Sequence, residues 1–253
     1  MDATTLNTLL LVLAGPVAGS FLGLAADRLP RDESIVAPRS HCRACGTTLG
    51  PRDLVPLLSF AASRGRCRHC GAAIPPWLFY FEIAATGLAV FAAILAPTIA
   101  LAWVYAGFLW LLLTLAAADL MHFRLPNLLT LALFLVALLL SWLGDPPGLV
   151  AALWGAALGA ASFLALRLAY QALRGREGLG LGDVKLMAGL GAALGGQMLP
   201  VMVLLAALAA LASALAGVAT RGTSAIDAGR ALPFGAALSA ATGFLWLAMR
   251  LPV

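Results

Sequence analysis

The sequence predicts an all-α polytopic membrane protein with about eight transmembrane helices and one small polar loop near its start. Composition gives the first reason. Of the 253 residues, 62% are hydrophobic and 11% charged, with a mean hydropathy of +0.97, too little charge for a soluble chain of this length. Apolar stretches of bilayer length, recurring from one end of the chain to the other, give the second. The third is where the basic residues fall. A net charge of +5 in a soluble protein would point to nucleic acid. Here the Lys and Arg residues collect between apolar stretches, as they do on the cytoplasmic side of membrane proteins, so the expected partner is membrane lipid and not nucleic acid.

A transmembrane helix needs about 17–25 apolar residues, depending on its tilt. Such stretches lie at residues 6–25, 77–96, 99–118, 128–143, 149–170, 184–199, 200–219 and 232–249. The first has no Lys or Arg ahead of its apolar core and no clear cleavage site after it, which predicts a retained span and not a signal peptide. The sixth and seventh are separated only by Gly195-Gly196 and Pro200. As one kinked helix they would reduce the count to seven.

Between the first two spans lies the one sizeable polar segment, residues 27–76, with Arg28, Arg31, Arg39, Arg43, Arg52, Arg64, Arg66 and Arg68. An excess of Lys and Arg marks the cytoplasmic side, which predicts this loop inside and the N-terminus outside. Alternating eight spans from there also places Arg124, Arg174, Arg176, Lys185, Arg221 and Arg230 inside, with Arg167 at the inner end of the fifth span. Of the 16 Lys and Arg residues, Arg250 alone falls outside. The expected organisation is a first span over 1–26, a cytoplasmic loop over 27–76 and a membrane core over 77–253.

The polar loop carries all four cysteines, as Cys42-x-x-Cys45 and Cys67-x-x-Cys70, each pair followed at once by glycine, Gly46 and Gly71. Four thiolates in two such knuckles can surround a tetrahedral Zn²⁺, and a residue without a side chain lets backbone amides turn toward the sulfurs. Two disulfides are the plain alternative, disfavoured in a reducing cytoplasm. A closed four-Cys site is expected to be structural, folding a zinc-ribbon-like loop too poor in apolar residues to fold alone. His41 and His69 stand beside cysteines and are expected to lie outside the ligand set.

Two acids stand apart from the rest. Asp119 ends an apolar run, Trp103 to Ala118, and Asp183 sits in Gly178-Leu179-Gly180-Leu181-Gly182-Asp183-Val184-Lys185-Leu186 at the start of another. Alone, Asp183 would pass for a helix N-cap, and Asp119 for a helix end facing water. Their spans run antiparallel, however, and both acids fall at the predicted cytoplasmic face. Ionisable residues at membrane depth are by default candidate functional sites. Two carboxylates sharing a proton can act as general acid and base together, the ionised one activating a water and the protonated one polarising a scissile carbonyl. Gly180 and Gly182 would let a substrate backbone approach, with Lys185 in the same loop. Glu82, inside the second span, is a further intramembrane acid that could orient substrate or pair with an Arg. Asp145, in Gly144-Asp145-Pro146-Pro147, reads as a turn residue and His122 as an interfacial one. The sequence holds no Ser/His/Asp set and no HExxH.

Together these residues resemble the type IV prepilin peptidases of bacterial inner membranes, over nearly the whole chain. The resemblance rests on Gly19-Ser20-Phe21-Leu22 with Arg28-Leu29-Pro30, the double CxxC loop with Arg64-Gly65-Arg66-Cys67, and Asp119 followed by Leu125-Pro126. It continues through Gly180-Leu181-Gly182-Asp183-Val184-Lys185-Leu186 to Pro233-Phe234-Gly235. It implies an aspartic endopeptidase with Asp119 and Asp183 as catalytic pair. Such enzymes remove short basic leaders, after a glycine, from prepilins or pseudopilins of pilus and type II secretion systems. Many members then N-methylate the new terminus with S-adenosylmethionine. Two positions depart from the family pattern: Gly23 stands where Asn is usual, and Arg43 where Pro is usual between the first cysteines. A basic leader facing a basic inner surface needs local acids, for which Asp32, Glu33 and Asp53 are candidates. A proton-coupled transporter using the same two aspartates is the competing class. It would place them near the bilayer midplane, between inverted repeats. A thiol oxidoreductase would place its CxxC pairs on the outer face.

Overall fold

The computed structural model of the protein describes residues 2–175, 178–221 and 232–251. Arg176 and Arg230, two of the residues used to orient the spans, lie outside the described residues, as does the side chain of Arg221. Nine α-helices are present among the described residues: α1 (Ala3–Arg28), α2 (Leu58–Ala62), α3 (Pro76–Leu95), α4 (Ile99–His122), α5 (Asn127–Trp142), α6 (Leu149–Arg174), α7 (Leu181–Leu194), α8 (Leu199–Arg221) and α9 (Phe234–Ala248). No strand forms among these residues, only two isolated bridge pairs. Each predicted apolar stretch carries one helix. Five of them, α1, α3, α4, α6 and α8, are long and apolar enough to cross a membrane, whereas α5 and α9 are shorter apolar helices and α7 has 14 residues.

The chain forms two compact units, Met1–Trp110 and Leu111–Val253, with the division falling inside α4. In the first unit α1 packs on α3 through a glycine face. A Cβ at Gly15 would stand 2.7 Å from the Cα of Thr86, and one at Gly19 would stand 2.8 Å from the Cα of Glu82. The spacing of four residues puts both glycines on one side of α1, so the two backbones approach as small-residue helix pairs do in membranes. Gly23 continues the row, but a Cβ there would meet only ordinary contacts, 3.5 Å from Phe81 and 3.7 Å from Trp77. Its departure from the family pattern therefore reflects no closed space. Trp110 donates its indole N–H to the Ala85 carbonyl at 2.8 Å, tying α4 to α3 within this unit.

The polar loop is tied to the first unit's helices by charge. The Asp27 carboxylate at the end of α1 accepts from Arg31 at 2.8 Å and Arg43 at 2.6 Å. Arg28 is buried and donates to the carbonyls of Ser34 and Pro38. Arg43, the second departure from the family pattern, thus fixes the first cysteine knuckle to α1. Of the acids considered for a basic leader, Glu33 lies 3.3 Å from Arg31 and Asp53 lies 3.2 Å from Arg68.

In the second unit α6 and α7 cross with almost nothing between their backbones. A Cβ on Gly155 would overlap the Gly191 carbonyl, and one on Gly191 would overlap the Gly155 carbonyl. The break between the sixth and seventh stretches falls at Gly195-Gly196, ahead of Pro200. α7 stops at Leu194, because Gly195 takes φ +74°, a left-handed conformation that an L side chain resists. A single 3₁₀ turn, Gly196–Met198, leads into α8, so two helices form where one kinked helix was the alternative. At one end of this unit Arg250 forms an ion pair with buried Asp145 and lies 3.7 Å from the centroid of the Trp246 ring. Asp145 is therefore more than a turn residue: it anchors the end of α9 to the α5–α6 connection.

Candidate active site and cysteine cluster

Asp119 lies one turn before the end of α4 and is buried, at 6% exposure. The helix continues to His122 and is closed by Phe123 at φ 53°, whose N–H donates to the Asp119 carbonyl at 2.9 Å. The carboxylate does not face water, the alternative considered for a lone acid. Its Oδ2 accepts the Ala236 N–H at 2.8 Å, and the Gly235 N–H adds a second bond. These amides belong to the first turn of α9, where helical N–H groups have no partner of their own. Gly235 is needed for the approach. A Cβ there would stand 3.1 Å from Asp119 Oδ2, 3.2 Å from its Cγ and 3.0 Å from Leu125 Cδ1.

Asp183 is not the N-cap of its helix. Gly180 is, and Asp183 occupies the first turn, half-buried, with its carboxylate lying back against Gly180, 3.4 Å from where a Cβ there would stand. Asp119 and Asp183, the two acids named from the sequence, come together around Leu125, which a Cβ on Gly235, beside Asp119, and one on Gly182, next to Asp183, would both touch. Leu125 fills the space beside both: a Cβ on Gly182 would stand 3.1 Å from its Cβ, and its other end meets Gly235. Lys185 points its ammonium to the Asn127 side-chain oxygen at 2.8 Å, linking the start of α7 to the start of α5. The contributions of Gly235, Ala236 and Leu125 were not assigned from sequence. The motifs Leu125-Pro126 and Pro233-Phe234-Gly235 were visible, but nothing local says what they touch.

Glu82 belongs to the first unit. It is buried at 9% exposure, and its Oε2 accepts the Leu57 N–H at 2.7 Å. Leu57 takes φ 61°, ψ −52°, a conformation that a branched residue holds only when its surroundings impose it. Glu82 thus pins the polar loop to α3, and its carboxylate pairs with a backbone amide where an arginine had been one expectation.

The two knuckles superimpose in pattern. Gly46 N–H donates to the Cys42 carbonyl and Gly71 N–H to the Cys67 carbonyl, both at 2.9 Å, with the glycines at φ 71° and 73°. The bridges His41–Thr48 and Arg66–Ala73 repeat the same register. The four sulfurs lie within 4.8 Å of one another, and no cysteine is in a disulfide. Cys42 and Cys70 Sγ are 3.8 Å apart, which matches the edge of a tetrahedron with metal–sulfur bonds of about 2.3 Å. Thr47, through its side chain and then its N–H, lowers the Cys45 thiol to about 6. At Cys70 the Ala72 N–H favours the thiolate, but burial and the neighbouring sulfurs outweigh it and push the thiol up to about 11. Four sulfurs gathered this closely can share one central cation. The cluster consists of the four cysteines, without His41 or His69.

An all-helical membrane protein with a carboxylate pair, one acid buried and one half-buried, and a four-thiol loop is the class that fold and site define. Comparison with known proteins gives the family. Residues 13–96 match the bacterial peptidase A24 N-terminal domain and residues 106–215 the type IV leader peptidase family. A prepilin leader peptidase/N-methyltransferase of Pseudomonas aeruginosa is 31% identical over 264 residues, covering 94% of this chain and 88% of the relative. One of Klebsiella pneumoniae is 38% identical over 209 residues, covering 79% and 90%, and one of Burkholderia pseudomallei is 40% identical over 217 residues, covering 85% and 69%. No solved structure matches. The chain belongs to the type IV leader peptidase family.

Proposed function

We propose that this membrane protein is an aspartic endopeptidase that removes the short basic leader from type IV prepilins or pseudopilins, with Asp119 and Asp183 as the catalytic pair. The observation that carries the proposal is the convergence of the two acids around Leu125, Asp119 buried and held by the Ala236 N–H of α9, Asp183 in the first turn of α7. With one proton between them, the ionised carboxylate takes a proton from water as the water attacks the scissile carbonyl. The protonated one donates to the carbonyl oxygen; the proton taken from water then passes to the departing amine, and the gem-diol hydroxyl returns its proton to the other carboxylate as the new carboxyl group forms. The names of the relatives support the substrate class and a second activity, N-methylation of the new terminus. S-adenosylmethionine would supply the methyl group.

The cut is assigned to the cytoplasmic membrane face of the bacterial inner membrane. The Lys and Arg bias supports this side, as does the meeting of acids predicted to share one face. The pairing of Arg250 with Asp145, both predicted outside, is consistent with the same alternation. In this reading the chain is organised as a first span over 1–26, the cytoplasmic loop over 27–76 and the peptidase core over 77–253. Zn²⁺ held by Cys42, Cys45, Cys67 and Cys70 folds the loop, and the gathering of the four sulfurs within 4.8 Å, with Cys42 and Cys70 at 3.8 Å, supports that assignment.

The test is cleavage of a purified prepilin in detergent by the wild type and by Asp119→Asn and Asp183→Asn, with product mass read with and without S-adenosylmethionine. Each substitution is expected to remove cleavage while the protein still inserts and binds zinc. Cleavage surviving either one refutes the pair and returns the transporter to consideration. A product heavier by one methyl group establishes the second activity.

A further inference from the structure

The α6 helix is apolar through most of its length, yet it carries a buried arginine, Arg167, at 8% exposure. A charge in that setting is costly and is retained where it has work to do. Its guanidinium Nη1 donates to the carbonyl of Leu179. One turn further along the same face, Tyr170 lays its ring where a Cβ on Gly178 would have to stand. Two side chains of α6 therefore hold the connection that leads into α7.

The Leu179 carbonyl and the Gly180 N–H are the two ends of one planar peptide unit. Arg167 holds the carbonyl end, and the Asp183 carboxylate rests against Gly180 at the other, 3.4 Å from where a Cβ there would stand. A cation on the oxygen fixes the plane of the peptide, and with it the surface on which the carboxylate rests. We propose that Arg167 is a positioning residue that sets the place of Asp183 through the Leu179–Gly180 peptide, with Tyr170 closing the other side of the loop. The proposal rests on the reading of Asp183 as a catalytic acid. It adds two residues to the peptidase machinery that neither the family motifs nor the aspartates themselves indicate.

The experiment compares Arg167→Lys, Arg167→Met and Tyr170→Leu with the wild type, full chain in detergent, on a prepilin substrate. Hydrogen exchange over residues 178–183 is the readout independent of turnover. In Arg167→Met, kcat is expected to fall about 10- to 100-fold, the scale of a misplaced catalytic group, with KM changed less than about threefold. Exchange should rise over residues 178–183 and stay unchanged along α6 and the rest of α7. Arg167→Lys keeps a cationic donor and should recover a large part of both effects, and it remains informative if the Met variant folds poorly. Tyr170→Leu should loosen the same segment more weakly.

Wild-type kcat and exchange in Arg167→Met would overturn the proposal. So would exchange rising throughout the unit, which would make Arg167 a general support, or failure of lysine to recover more than methionine. Asp183→Asn, run alongside, separates the two levels: if it still cleaves, the catalytic assignment fails. If it is inactive while Arg167→Met is normal, only the positioning role fails.

Discussion

Asp119 and Ala236, 117 residues apart in sequence, are joined by a 2.8 Å hydrogen bond from backbone N–H to carboxylate. The orientation of this acid is thus set by the main chain of another helix, which no substitution at Ala236 short of proline can delete outright. What substitution can change is the space. Gly235→Ala puts a methyl group 3.1 Å from Asp119 Oδ2 and 3.0 Å from Leu125 Cδ1. Cleavage is expected to fall by about 10²-fold, the penalty of roughly 1 Å of displacement at a reacting group. Thermal unfolding in detergent should move little, and Gly235→Val should be worse than Gly235→Ala.

A proton shared by Asp119 and Asp183 predicts a bell-shaped dependence of kcat/KM on pH, one limb for loss of the shared proton and one for its doubling. Both limbs describe the pair, not one residue. Initial rates measured from about pH 4 to 9, spanning the usual carboxylate range, check this. A flat profile would exclude the shared-proton mechanism.

Glu82 is expected to matter for the loop more than for the chemistry. Glu82→Ala leaves the part-buried Leu57 N–H without its charged acceptor and should cost about 1–3 kcal/mol. Glu82→Gln keeps an acceptor oxygen and should cost less. Hydrogen exchange at residues 54–58 and thermal unfolding report the difference. A large loss of kcat in Glu82→Gln with normal loop protection would instead place Glu82 near substrate.

Removal of any one thiol, Cys42→Ser for example, should lower metal content from about one zinc per chain and open the loop to protease. Four-Cys sites of this kind contribute binding energy directly to folding, on the order of 10–16 kcal/mol in isolated peptides. A single substitution should therefore cause most of the loss seen when all four cysteines are changed. Metal analysis beside limited proteolysis of residues 40–74 is the measurement.

The helices and the cysteine cluster were legible because both signals are local: an apolar run declares its own length, and CxxC spacing declares its own geometry. The acids were legible as outliers in apolar sequence. Their anchoring was not. Ala236 reaches Asp119, Leu57 reaches Glu82 and Leu179 reaches Arg167 through backbone atoms, which every residue carries and which leave no trace in residue identity. Asp183 was expected ahead of its helix and lies inside it, because Gly180 takes the cap. A glycine cap offers no side-chain oxygen to recognise. Asp145 and Arg250 each looked isolated because the pair forms only when α9 returns beside the α5–α6 connection.

The bare crossing of Gly155 with Gly191 has a consequence for the acid at the other end of α7. With carbonyl oxygen against glycine on both sides, the two helices can seat in one register only, since a shift by one residue would drive Ala156 or Ala192 into the opposing main chain. Asp183 lies roughly 12 Å up the helix axis from Gly191, at 1.5 Å per residue. The height of the acid within the bundle is thus gauged by a pair of glycines remote from any substrate. Enlarging either would act as a shim, raising or tilting α7 and uncoupling the two carboxylates without touching them.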